Sequence, residues 1–352
     1  MKYRVYACCL AVLGILSGCR NDDDGLEGIA ARDRGEQAIA DAAFFAEYLS
    51  THFYNYEEFE AEEAGFDYRI KFGKIEGDNA DKIPLSDQVQ EISVSRTEVV
   101  QSIYVLKARE GAGEQITYAD SALTTFRGVE LGEDTENTID GSTIPTWFNL
   151  PTIIEGFYQG LSTTRAGTGV TILPNGEPQF NNDYGITAVF IPSGLGYFAD
   201  PPGGSDIGLY ANFVFTAETY QRKKTDHDGD LIPSIMEDLN DNMFLFDEEE
   251  DNTDGDAVPN FRDPDDDNDG VRSRLEIITE EIDTDDDNVP DTTVFVSFMD
   301  TDGDGIFDHL DTDDDNDGRD TVDEIEINFN TGVINYPDTD GDGTPDYLDS
   351  DS

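Results

Sequence analysis

From Asp226 onward the chain repeats one arrangement of acidic side chains. It is clearest in "DTDGDGIFDHLD" and "DTDGDGTPDYLD". Counting each unit from its first Asp, carboxylates recur at positions 1, 3, 5, 9 and 12, with Gly at position 6. One copy carries Asp300, Asp302, Asp304, Asp308 and Asp311 around Gly305, and the last carries Asp338, Asp340, Asp342, Asp346 and Asp349 around Gly343. Two further copies close on Glu: Asp265, Asp267 and Asp269 with Glu276, and Asp313, Asp315 and Asp317 with Glu324. Weaker copies hold Asp226, Asp228 and Asp230, and Asn252, Asp254 and Asp256 with Asp263. Another begins at Asp283 with Val294 at position 12, and a doubtful one begins at Asp238. This spacing suits calcium, a hard cation that takes roughly six to eight oxygens, and Gly permits the sharp turn that aims three carboxylates at one point. Without a cation, two such charges about 4 Å apart repel by about 4 kcal/mol at an effective dielectric of 20.

Pro233, Pro259, Pro290 and Pro345 all fall at position 8 of their units, where a helix would have to leave the loop. Proline there disfavours that helix, so these are not EF-hands proper. A solvated acidic linker would not keep phase over several units. The tail resembles thrombospondin type 3 repeats, which implies extended chain wound around a row of calcium ions, with little core beyond residues such as Leu310 and Leu348. The whole chain has a formal charge of -58. Its last part, from Asp226, holds 45 Asp and Glu against four Arg, a net of -41. Such a surface cannot neutralise phosphates, which excludes nucleic acid as a partner. The composition changes at Lys223-Lys224-Thr225, which marks a domain boundary.

Upstream, "WFNLPTIIEGFYQGL" (147–161) places Ile153, Ile154, Phe157 and Leu161 on one face of a short helix. "AVFIPSGLGYFADPPGGSDIGLYANFVFTAETY" (188–220) reads as loop and then strand, with Phe213 and Phe215 alternating with Val214 and Thr216 so that one face packs on that helix. Residues 98–220 show no nucleophile–base pair, phosphate loop or zinc spacing. Together with "YVLKAREGAGEQITYADSALTTFRGVEL" (104–131), these stretches resemble FKBP-type peptidyl-prolyl isomerases over roughly residues 98–220. The resemblance implies a proline pocket lined by Phe126, Ile139, Asp140, Trp147 or Phe148, Ile153, Ile154, Phe157, Tyr197, Ile207 and Phe215. In it Tyr197 donates a hydrogen bond to the substrate and Ile154 offers a backbone N–H. Phe157 forms the floor, Phe126 and Phe215 form the walls, and Asp140 shapes the rim. Three positions depart from the family: Phe126 where Tyr is usual, Ile139 where Phe is usual, and Phe157 where the floor is Trp. All three stay apolar. Gly167–Gly185 is longer than usual, and Pro174-Asn175-Gly176 marks the turn of an inserted hairpin.

At the start, Lys2 and Arg4 precede an apolar run from Val5 to Leu16, too short to span a bilayer, and then Leu16-Ser17-Gly18-Cys19. This resembles a lipobox, which implies cleavage before Cys19 and a lipid anchor on that thiol. Cys8 and Cys9 leave with the signal, so no disulfide framework is expected. Arg20-Asn21-Asp22-Asp23-Asp24 resembles a lipoprotein surface-export signal, leaving a periplasm-facing or surface location open. In "RGEQAIADAAFFAEYLSTHF" (34–53), Ile39, Ala42, Ala46, Leu49 and Phe53 recur at helical spacing and predict an amphipathic helix. His52 reads as a surface residue.

The expected fold is α+β. A signal peptide (1–18) and an acidic tether with helical segment (19–97) precede an FKBP-like antiparallel sheet wrapped on a short helix (98–222), and an extended calcium-bound repeat tail (225–352) follows. The expected function is an extracytoplasmic, membrane-anchored prolyl isomerase acting on proline-containing unfolded or nascent polypeptides, with structural calcium in the tail and no cofactor for catalysis. Chelation is expected to leave turnover of a short peptide unchanged, because the ligands lie outside 98–220. The alternative is a calcium-binding surface or adhesive lipoprotein whose FKBP-like domain is a non-catalytic binding module.

Overall fold

A computed structural model describes residues 31–96, 98–132, 136–247, 249–285, 289–328 and 331–352. The signal segment, Cys19 and the acidic run after it lie outside the described residues. Among the described residues no helix is long and apolar enough to cross a membrane.

The framework is a six-stranded antiparallel sheet built from β1 (Val89–Arg96), β2 (Val99–Arg109), β3 (Ser121–Leu131), β4 (Glu136–Asn149), β5 (Gly185–Ile191) and β6 (Asn212–Lys223). The spatial order is β1-β2-β5-β6-β3-β4, so the last strand inserts at the centre beside β5 and β3. Period-two alternation divides the central strands between two cores. Val189, Ile191, Phe213 and Phe215 face one core, while Ala188, Phe190 and Val214 face the other. Both faces are therefore covered, where the sequence reading expected packing on one.

Three helices accompany the sheet: α1 (Arg34–Thr51), α2 (Tyr56–Ala61) and α3 (Glu155–Leu161). Asp33 caps α1 by accepting the Glu36 N–H at 2.9 Å. The buried face of α1 is Gln37, Asp41, Phe45, Tyr48 and Leu49. Ile39, expected inside, is 73% exposed; Ala42 and Ala46 are also exposed, and Phe53 lies in the short strand His52–Tyr54. The predicted face is rotated because two polar residues are buried in satisfied hydrogen bonds: Gln37 donates to Asp41 at 2.7 Å, and Asp41 accepts from Ser193. His52 is half-buried, its ring stacked on Tyr48 at 3.9 Å.

α3 lies on the opposite face and every residue from Gly156 to Leu161 is buried. Gly156 and Gly160, one turn apart, let it touch β5. A Cβ at Gly156 would meet the Ile191 side chain at 2.3 Å, and one at Gly160 would meet Val189 at 2.4 Å. The inserted segment forms the expected hairpin, Val170–Ile172 paired with Pro178–Phe180.

The tail differs from the expected coreless ribbon. Leu245 and Phe261 are 2% and 1% exposed within the same core as Phe157 and Phe213. A second small core joins Val271, Ile325 and Tyr347, with Leu348 packed against it. The change of composition at residue 225 is thus not a boundary of packing: Asp33–Ser352 forms one compact unit.

Candidate functional site

Strands β3 and β4, the start of α3 and the long connection from β5 to β6 converge over one core. Phe157 and Phe215, 3% and 6% exposed, have ring centroids 4.9 Å apart. Phe126 stacks over Phe215 at 6.5 Å, and Phe148 meets Phe126 edge-on at 5.1 Å. Gly128 makes room for this stack, since a Cβ there would sit 2.5 Å from the Phe215 ring. Ile139, Ile153, Ile154, Tyr197 and Ile207 are part-buried against the same cluster. Tyr197 meets Phe213 edge-on at 5.8 Å, and its phenol is held above its ordinary pKa by burial and then by the nearby Asp140 charge. Asp140 is exposed and accepts the Gly141 N–H at 2.7 Å.

Trp147 is not brought to this cluster. It is 48% exposed, because alternation along β4 turns its neighbour Phe148 inward. Ile154 is the residue before α3; its carbonyl accepts from Phe157 and Tyr158, while no described group accepts from its N–H. Tyr197 likewise has no hydrogen-bond partner for its hydroxyl among the described residues.

A separate hollow of about 580 Å³ opens on the other face of the sheet, where Arg69, Lys71, Arg127 and Glu218 line it. Phe126 and Ala217 of the apolar cluster, and Asp140 at its rim, also border this hollow.

The acidic tail is built from a repeated clamp that sequence reading missed. In the units at Asp226, Asn252, Asp265, Asp300, Asp313 and Asp338, position 8 caps a one-turn 3-10 helix, which is where the prolines fit. The N–H of position 9 then donates to the carbonyl just before position 1: Ser234 to Thr225, Asn260 to Asp251, Ser273 to Pro264, Asp308 to Met299, Thr321 to Thr312 and Asp346 to Pro337. The position 9 side chain accepts the N–H of position 2 in return. Asp308 accepts the N–H and hydroxyl of Thr301, both at 2.7 Å, and Asp346 accepts the same pair from Thr339 at 2.6 Å. Position 9, read from sequence as a ligand, thus also closes its own loop. The Asp283 copy keeps the clamp, with Asp291 N–H donating to the Ile282 carbonyl at 3.0 Å and Thr284 donating to Asp291, but its position 12, Val294, lies in the strand Thr292–Phe298 that pairs with Ile277–Ile282.

Positions 3 and 5 each spend one carboxylate oxygen on the backbone two residues ahead. Asp230 N–H donates to Asp228, Ile232 to Asp230, Asp269 to Asp267 and Val271 to Asp269. The other oxygen of Asp228, Asp230, Asp267 and Asp269 is buried without a partner. Clusters within single units include Asp226, Asp228 and Asp230; Asp254, Asp256 and Asp263; and Asp265, Asp267 and Asp269. Burial, followed mainly by mutual repulsion, pushes Asp228 and Asp267 up to about 8. Buried anions in this state need a cation or a proton. Glu237, Asp251, Asp266 and Asp314 also belong to this buried acidic set, each with at least one unpartnered oxygen. Sequence reasoning passed over them because they stand outside positions 1, 3 and 5. Glu237 at position 12 was the one legible signal.

The tail grips the apolar site directly. Tyr118 donates its hydroxyl to the buried Asp238 at 2.5 Å, and Tyr158 of α3 donates to the Met243 carbonyl at 3.3 Å. Arg96 pairs with Glu155 of α3 at 2.5 Å and lies 4.4 Å over the Phe244 ring. His227 contacts Asn149, next to Phe148, at 2.8 Å.

A family model described as BamM C-terminal matches residues 227–283, a stretch that takes in the units at Asn252 and Asp265 and all but the first residue of the unit at Asp226. No curated protein matches the chain. Among solved structures, the chain is similar to a peptidyl-prolyl cis-trans isomerase from Pseudomonas syringae pv. tomato at 16% identity, TM-score 0.32, covering 55% of this chain and 98% of that one. It is similar to FkpA from Escherichia coli at 20% identity, TM-score 0.30, covering 53% and 62%. The N-terminal domain of FKBP42 from Arabidopsis thaliana aligns at 11% identity, TM-score 0.27, covering 34% and 86%.

Proposed function

We propose that this chain is an FKBP-type prolyl isomerase that acts outside the cytoplasm on proline-containing unfolded or nascent polypeptides, with a calcium-ordered tail. One observation carries the reading: the Phe126–Phe215–Phe157 box is bordered by two hydrogen-bond donors, the Tyr197 hydroxyl and the Ile154 N–H, that have no partner among the described residues. Resonance gives the peptide bond a rotation barrier of roughly 18 to 20 kcal/mol. An apolar box that excludes water disfavours the polar planar amide relative to the twisted state. Ile154 and Tyr197 hold the substrate carbonyls that flank the turning bond, and Phe157 supports the proline ring. Asp140 borders Tyr197 and biases its phenol toward the protonated form that donates. No proton transfer or covalent intermediate is required.

Calcium fits the tail because oxygen ligands are buried there without partners. Asp226, Asp228 and Asp230, and their counterparts in the later units, would hold it. A bound ion supplies the positive charge that lets these carboxylates stay ionised inside the protein. Cys19 would carry the lipid that holds the chain at a membrane. Changing Cys19 to Ala should leave precursor without lipid mass, and full membrane fractionation of that variant would remove the anchor from this reading.

The deciding experiment is a protease-coupled assay on the purified, unlipidated chain with peptides varied at the residue before proline. Acceleration over buffer is expected. No acceleration by a folded protein would leave a binding module instead of an enzyme.

A further inference from the structure

Beside the His227–Ser234 pair of the first unit, the pair at positions 2 and 9 takes two chemical forms within this one chain. Four units place Thr at position 2 against Asp or Asn at position 9: Thr253 with Asn260, Thr284 with Asp291, Thr301 with Asp308, and Thr339 with Asp346. In each the Thr hydroxyl completes the clamp. Two units reverse the pair. Asp266 stands against Ser273 and Asp314 against Thr321, and the clamp survives through the backbone N–H of the Asp donating to the hydroxyl, at 3.0 and 3.3 Å. The exchange frees a carboxylate at position 2 that its own loop does not use.

Both freed carboxylates turn into an earlier unit. Asp266 lies with Asp230 and Glu237, and Asp314 lies with Asp269 and Glu276; in each group ligand oxygens all fall within 4.8 Å of one another. These six side chains are at most 2% exposed. Both oxygens of Glu237, Asp266, Glu276 and Asp314 are buried without a hydrogen-bond partner, as is the second oxygen of Asp230 and of Asp269. No Lys or Arg among the described residues forms an ion pair with any of them. Three carboxylates gathered away from water, with no counter-charge, are stable as anions only around a cation.

We propose that Asp266 and Asp314 complete two shared calcium sites, Asp230–Glu237–Asp266 and Asp269–Glu276–Asp314, each joining two separate repeats. This rests on the calcium reading of the tail and adds ligands that no single loop contains. An all-carboxylate, crowded set favours calcium over magnesium, which keeps much of its water and demands near-octahedral geometry. The unit at Asp265 gives Asp266 to the unit at Asp226 and receives Asp314 from the unit at Asp313, each time across an intervening stretch of repeats. Calcium therefore links the units at Asp226, Asp265 and Asp313 in series, beginning at the unit whose His227 contacts Asn149 of the apolar site.

Calcium titration of the full unlipidated chain, with native-state hydrogen exchange read unit by unit, tests this on D314N, D266N, E276Q and D304N. Asp304 lies outside both shared groups. D314N should lose one ion per molecule and lose protection in two units at once, 265–276 and 313–324. D266N should do the same for 226–237 and 265–276. E276Q should match D314N, and the D314N/E276Q double variant should lose no further ion. D304N should lose its ion with protection reduced in its own unit only. If D304N lowers the stoichiometry while D314N, D266N and E276Q all keep the parent value, calcium binding stands and the shared sites are overturned. If the parent binds no calcium, both fall.

Discussion

The Asp41 carboxylate on α1 accepts both the hydroxyl of Ser193, at 2.6 Å, and its N–H, at 3.1 Å. Ser193 begins the connection that carries Tyr197, and Asn212, at the far end of that connection, accepts the same Ser193 N–H at 3.1 Å. Arg34, two turns before Asp41, lies 4.3 Å over the ring of Phe198 in the same connection. The first helix thus fixes the segment that presents Tyr197. Asp41→Ala should cost about 3 kcal/mol, because it strands buried donors on Ser193 and Gln37. Urea unfolding would measure the loss, and limited proteolysis should show cleavage within 193–211. Parent-like stability would mean that water replaces the carboxylate.

Tyr197→Phe keeps the ring and deletes one donor, so peptide turnover should fall about tenfold, a loss of roughly 1 to 2 kcal/mol, with little change in stability. Phe157→Ala should lower turnover further and destabilise the fold by about 3 to 5 kcal/mol, because Phe157 is buried against Phe215. Comparing turnover with denaturation midpoints separates the two effects.

Packing changes the expectation that chelation leaves turnover untouched. Met243, Phe244 and Asp238 of the tail contact Tyr158, Arg96 and Tyr118, and Arg96 in turn pairs with Glu155 of α3. Loosening the tail with a chelator should lower isomerase turnover several-fold in the full chain. Arg96→Ala should lower it even in saturating calcium. Equal rates with calcium and with chelator would show that α3 holds its place without the tail.

Without calcium, tail stability should fall as pH rises. Burial, aided by neighbouring charges, lifts Asp269 to about 7 and Asp266 and Asp314 to about 9. A carboxylate with a raised folded pKa binds more protons when folded, so its contribution is complete below the unfolded value near 4 and is lost as pH rises towards 9. His309 opposes this in one window: burial holds it near 4, so its contribution is present above about 6.5 and is lost as pH falls. In chelator, the tail should resist proteolysis better at pH 5.5 than at pH 8.5. Added calcium should reverse that order, since it competes with protons for the same oxygens. Equal resistance at both pH values in chelator would contradict the burial of these carboxylates.

The parts of the molecule legible in sequence were those in which local pattern and tertiary packing agree. The alternation of Phe213, Val214 and Phe215 and the clustering of Phe157 and Leu161 survive because each side chain meets the core its period dictates. The face of α1 was misread because Gln37 and Asp41 are buried through hydrogen bonds, one of them to a residue 152 positions away. Hydropathy carries no record of such partners. The clamp at position 9 of the repeats was not legible for a related reason. An Asp that accepts two bonds from a Thr in its own loop has the same letter as one that faces a metal. Leu245 and Phe261 were missed as core because a strongly acidic stretch gives no local sign of the apolar surface that receives it.

Trp147 is the chain's sole tryptophan and sits half-exposed on β4, beside Phe148 of the apolar box and two residues from Asn149, which His227 of the tail touches. The protein thus carries its own fluorescent reporter at the junction of its two chemistries. Occupation of the box would act on that indole through Phe148 beside it, and release of the tail through Asn149. The colour and quenching of its emission can therefore follow both events in the unlabelled molecule.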